Sequence, residues 1–248
     1  MAMTETVHRN LTISSLVGIS LIGTILAFIL VSYTPASQDF SWRRPVIGSI
    51  YALICIVGAI AVFFPKKCSR IVYLKNWKTT PTTPYNTSQL DERKTTNLFG
   101  FKLTHGHHPN CESFSDHEFQ IGKRTFCAGC TGLLIGALIS LVAVSAYFLS
   151  QVQIDRVAIP MLGFGFTAIP VGLLIPILAI NGRAARIAAN AVFILGMSSI
   201  LVGADTLLHN IQIDIYLIAL DVLWLMTRIS ISKLNHERIC TNCTQRCV

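Results

Sequence analysis

The sequence predicts an all-α fold: a polytopic membrane helix bundle of about six transmembrane helices, carrying a Cys/His module on its cytoplasmic side. Three observations predict it. Of the 248 residues, 52% are hydrophobic and only 13% charged, where a soluble domain carries about 25% charged residues. Six mostly apolar runs approach the roughly 20 residues that a helix needs to cross a bilayer. Lys and Arg sort strongly between the loops that six spans would place on opposite sides.

The runs fall at 11–33, 45–64, 130–149, 157–180, 187–209 and 213–231. The first is longer than the apolar region of a signal peptide, and the preceding MAMTETVHRN is barely basic; it reads as a retained span. In the third, Gly132 and Gly136 make the small-xxx-small spacing that permits close helix approach, and Gly196 and Gly203 put a second small face on the fifth. The fourth holds Pro160, Pro170 and Pro176. Kinks are expected there, tolerated where neighbours re-satisfy the freed carbonyls. The sixth is interrupted by Asp221 and Arg228.

With six spans, 17 of the 20 basic residues share one side, and only Arg43, Arg44 and Arg156 fall on the other. The second loop is slightly longer than the length over which the positive-inside rule is dependable. Counting only its membrane-flanking ends leaves 14 against 3. Both termini and the second loop are therefore expected in the cytoplasm. The basic residues are dispersed among spans and loops, which argues against nucleic acid as a partner. The segment PKKCSRIVYLKNWK suits an anionic lipid surface, with Tyr73 and Trp77 at the interface. Along the chain, 1–64 reads as a two-helix hairpin and 65–97 as a basic, polar linker rich in Thr and Pro. Aromatic residues return in the Cys/His module, 98–130. A four-helix membrane region, 131–231, and a Cys-rich tail, 232–248, follow.

Eight cysteines are present. Cys55, inside a span, reads as a small apolar residue, and Cys68 as incidental. The other six form two groups with nearby histidines: His107, Cys111, Cys127 and Cys130 in the loop, and His236, Cys240, Cys243 and Cys247 in the tail. Each group offers three thiols and an imidazole, the donor set of a closed tetrahedral zinc site. A reducing cytoplasm argues against structural disulfides. Each group can hold its own ion, or Cys127, Cys130, Cys240 and Cys243 can join as one site clamping tail to loop. An iron–sulfur cluster is less favoured, because neither group has ferredoxin spacing. Gly129 and Gly132 would let backbone N–H groups approach the sulfurs. His105, His108 and His117 read as solvated loop histidines. A rival reading is thiol redox chemistry: Cys127 and Cys130 abut a helix N-terminus, which with Lys123 and Arg124 favours a thiolate.

HHPNCESF followed by FCAGCTGLLIGA resembles a family of prokaryotic predicted integral membrane proteins classed as a domain of unknown function. The resemblance covers about 105–205, including Asn181-Gly182-Arg183 and Arg186. The CAGC form suggests an archaeal branch, and the upstream element departs from the commoner Cys-His order. The resemblance implies a membrane architecture and a Cys/His site, and it supplies no reaction.

Ionisable residues within spans are costly and often functional. Asp205 and His209 lie one turn apart near the outer end of the fifth span, and Asp214 starts the sixth. Asp221 and Arg228, seven apart, share a helical face, as a structural pair, in contact with water at the interface, or as part of a proton or cation path with Asp205. Three functions remain: a membrane scaffold or regulator whose zinc module docks a protein partner at the cytoplasmic face, a thiol-disulfide oxidoreductase using Cys127 and Cys130, or a metal-ion or proton transporter. No clear catalytic motif appears: there is no phosphate-binding glycine loop, serine-nucleophile motif or His-Glu-x-x-His. The first class is favoured.

Overall fold

The computed structural model describes residues 2–64, 95–98, 101–104, 112–150, 154–175 and 182–241. Six α-helices dominate: α1 (Ala2–Tyr33), α2 (Arg43–Val62), α3 (Ala128–Ser150), α4 (Asp155–Leu174), α5 (Arg183–Leu208) and α6 (Ile211–Thr241). All six are long and apolar enough to cross a membrane, and the chain is a multi-pass integral membrane protein. The outward-facing side chains fit that solvent. Leu11, Val142 and Ile159 each remain about 70% exposed, which water would penalise and lipid does not.

Between α2 and α3 lie two antiparallel hairpins, which the apolar runs did not announce. The first pairs β1 (Thr95–Leu98) with β2 (Phe101–Thr104). The second follows a 3₁₀ helix (Glu112–His117) and pairs β3 (Glu118–Ile121) with β4 (Arg124–Cys127). Its two-residue turn, Gly122–Lys123, has Gly122 at φ +61°, a conformation open to glycine at little cost.

Helix limits shift in ways that residues explain. α2 begins two residues before the apolar run, at Arg43, because that guanidinium is neutralised inside the protein. α3 begins at Ala128, directly from β4. α6 continues to Thr241, past the end of its apolar run at 231. α4 stays one helix through Pro160 and Pro170; Pro176 lies outside the described residues.

α3 and α5 run parallel along a seam of small residues. A Cβ on Gly136 would lie 2.9 Å from the carbonyl oxygen of Ala191, and one on Gly132 would lie 2.9 Å from the Asn190 Cβ and closer still to the Ile187 carbonyl. The predicted close approach is therefore real at both positions. The opposite face of α5 meets α4: a Cβ on Gly203 would lie 2.9 Å from the Ala158 carbonyl oxygen. Gly132→Val is expected to destabilise the bundle by about 1–3 kcal/mol, because backbone cannot retreat as a side chain can. Thermal unfolding in detergent reads the effect, and an unchanged midpoint would mean that α3 and α5 do not meet there. α1 belongs to the same bundle: Ser20 Oγ bonds Thr227 Oγ1 at 2.8 Å, and Trp224 Nε1 donates to the Ser20 carbonyl at 3.2 Å.

Candidate functional site

The first candidate sits where the second hairpin meets the bundle. The hairpin register sets Glu118 opposite Cys127, so His117, the residue before Glu118, is carried to the strand end beside that cysteine. Cys127 then leads into the first turn of α3, where Cys130 follows. Cys127 is buried and Cys130 half-buried. The Cys130 N–H points to the Cys127 sulfur at 3.5 Å. The Cys130 side chain, followed by the backbone N–H groups of Cys130 and Gly129, holds the Cys127 thiol below its ordinary range, against the opposing effects of burial and of Glu118. The expectation for Gly129 thus holds at its N–H group. Gly132 instead serves contact with α5.

From the other side comes α6. The His236 ring lies 5.2 Å from that of His117, centroid to centroid, and Phe114 packs edge-on against both at 5.9 and 5.5 Å. His117 is only 6% exposed and Phe114 1%. Reading His117 as a solvated loop histidine is therefore corrected: Phe114 and His236 exclude water from it. The missed signal was the Gly122-centred turn between EFQI and RTFC, since a two-residue hairpin brings its ends together. Arg183 ties α5 to the same module by donating from Nε to the Ser115 carbonyl at 2.9 Å. Of the predicted ligands, Cys127, Cys130 and His236 are thus on one end of the bundle, and Cys240 lies one helical turn past His236 on α6. His107, Cys111, Cys243 and Cys247, with His105 and His108, lie outside the described residues. Among the described residues no group of three or more His, Cys, Asp or Glu side chains is arranged to hold a metal ion.

The opposite end carries a buried ion cluster. α5 ends in a tight connection: His209 takes a left-handed φ of +50°, and Asn210 Oδ1 caps α6 by accepting from the Gln212 N–H at 2.9 Å. This brings Asp205 and Asp214 together. Arg43, fully buried at the start of α2, bridges them. Its Nη1 donates to Asp205 and, at 2.5 Å, to Asp214, while its Nε donates to Asp39 at 2.8 Å. Tyr147 donates to Asp205 at 2.6 Å, and Arg44 Nε lies 3.4 Å from the same carboxylate. Burial works against charge on Asp39, but the hydrogen bond and charge of Arg43, then Arg44 and His209, hold its carboxyl below the usual range. Asp205 and His209 do lie at this end, as their spacing suggested. The residue that organises it, Arg43, entered the sequence argument only as an exception to the charge rule.

Between the two ends lie Asp221 and Arg228, 1% and 7% exposed. No ion pair joins them. Both Asp221 oxygens and the Arg228 Nε lack a hydrogen-bond partner. The expected structural pair is therefore not formed: seven residues along a helix is about 10 Å of rise, too far for direct contact.

No family model, no curated protein and no solved structure matches the chain.

Proposed function

We propose that this membrane protein holds zinc in its Cys/His module, and that the metal locks the loop to the end of α6 as a structural or regulatory platform for a protein partner. The observation that carries the reading is the His236–His117 contact, which joins the tail's histidine to the hairpin that ends at Cys127 and leads to Cys130. The donors fit the metal: two cysteine sulfurs three residues apart, one of them with its thiol held down, beside imidazoles, match the sulfur and nitrogen preference of zinc. Zinc supplies folding free energy that so small a module lacks. His107, Cys111, Cys240, Cys243 and Cys247 would complete one site or two. The module and both termini face the cytoplasm in this reading, on the 17 basic residues of that side. The resemblance to the prokaryotic membrane family of unknown function belongs to the same proposal.

A second reading rests on one observation, the depressed Cys127 thiol with Cys130 beside it: a membrane thiol-disulfide oxidoreductase. Metal content of the purified, detergent-solubilised protein separates the two. Zinc in the wild type, lost in Cys127→Ser/Cys130→Ser and in Cys240→Ser/Cys243→Ser, supports one shared site. Loss of half the zinc in each supports two sites. Metal-free protein whose thiols oxidise and reduce reversibly sinks the zinc reading and supports the oxidoreductase.

A further inference from the structure

Asp221 stands near the middle of the membrane-spanning part of α6, with neither oxygen hydrogen-bonded. A bare carboxylate at that depth costs several kcal/mol or more, so something must neutralise it. Among the described residues, the nearby fixed cations are committed elsewhere or too far away. Arg43 and Arg44 serve Asp39, Asp205 and Asp214, and Arg228 is two turns along the same helix. The titratable groups within electrostatic reach of Asp221 include Tyr51 and Cys55 of α2; α1, α4 and α5 also pack on α6, and among the described residues no salt bridge reaches Asp221 from any of them. A hard metal cation takes six or more oxygen ligands, and a phenol with a thiol is a poor beginning for that shell. A proton needs only the carboxyl itself.

We propose that Asp221 is a proton-binding site in the membrane interior, reached through Tyr51 and the seam between α3 and α5. Tyr51 is almost fully buried, and its hydroxyl lies against Ser198. Ser198 Oγ in turn meets Ser140 Oγ at 3.0 Å. One heptad farther along the same two parallel helices, Tyr147 donates to Asp205 at 2.6 Å. The polar layers repeat because residues seven apart share a helix face, with a step of about 10 Å. Hydroxyls thus mark a route from Asp221 toward the ion cluster at the end of the bundle. This site is independent of the Cys/His module and of its metal.

Infrared difference spectroscopy of the whole protein in lipid tests the proposal. A protonated carboxyl has its own C=O stretch. The wild-type-minus-Asp221→Asn spectrum is expected to contain that band, and the band should shift on transfer to D₂O. In Tyr51→Phe the shift should slow severalfold. Should Asp221→Asn fail to fold, Asp221→Glu keeps the carboxyl and should move the band instead of deleting it. A missing band means that Asp221 is ionised and overturns the proposal, as does a band that never shifts in D₂O, the mark of a sealed structural acid. A carboxylate band that appears only with added sodium would make the site a cation site and equally overturn it. Unchanged exchange in Tyr51→Phe would overturn the route.

Discussion

Replacing Arg43 with Met is expected to destabilise the bundle by about 3–5 kcal/mol, because it strands buried carboxylates without their cation. Arg43 is fully buried and joins Asp39, Asp205 and Asp214, from the α1–α2 loop, α5 and α6. No other described cation reaches Asp214 within ion-pair distance. Arg44 touches Asp39 and Asp205 only. Arg43→Lys should recover little, since an ammonium cannot present donors to three carboxylates in a planar fork. Adding Asp205→Asn and Asp214→Asn to Arg43→Met should restore much of the loss, because the stranded charges then disappear. Thermal unfolding in detergent across this cycle measures the coupling. Additivity within about 0.5 kcal/mol would show that Arg43 does not neutralise the pair. Acid should act in the same direction. Asp39 titrates below its unfolded value, so its contribution is present above that value and is lost as pH falls through the folded one.

Truncating Phe114 to Ala should have the second large effect, about 3–5 kcal/mol on docking of the module. Phe114 is 1% exposed and packs on the rings of both His117 and His236. Its loss leaves a cavity between the hairpin and α6. Amide hydrogen exchange should rise in 112–127 and at the end of α6, while the middle of α3 and α5 remains protected. If exchange in 112–127 stays at the wild-type level, Phe114 is not the residue that fastens the module. A zinc-bound module would resist the truncation better than a metal-free one, because the metal adds its own tie.

Some elements of this protein are legible in local pattern, and others are not. Six apolar runs became six helices, since length and hydropathy decide membrane partition residue by residue. Gly132, Gly136 and Gly203 announced close contacts, since a glycine at helical spacing offers room that no packing partner need be named to predict. Asp205 and His209 were recognised as a polar helix end from position alone. The strands of the module were hidden by their four-residue length, too short for a period to stand out. His117 looked solvated, because the turn at Gly122 can bring it beside Cys127 but cannot predict that a helix end more than a hundred residues later will cover it.

The sequence by itself determined a bundle of six membrane helices, the small-residue seams along them, and thiols and imidazoles grouped at the ends of spans. These follow from periodicity and composition, which local chain segments carry. Only the tertiary structure decided that Arg43 answers Asp205 and Asp214, and that His236 covers His117. Pairing in the interior depends on which helix faces meet, and residues 162 and 171 positions apart become neighbours only once the whole bundle closes.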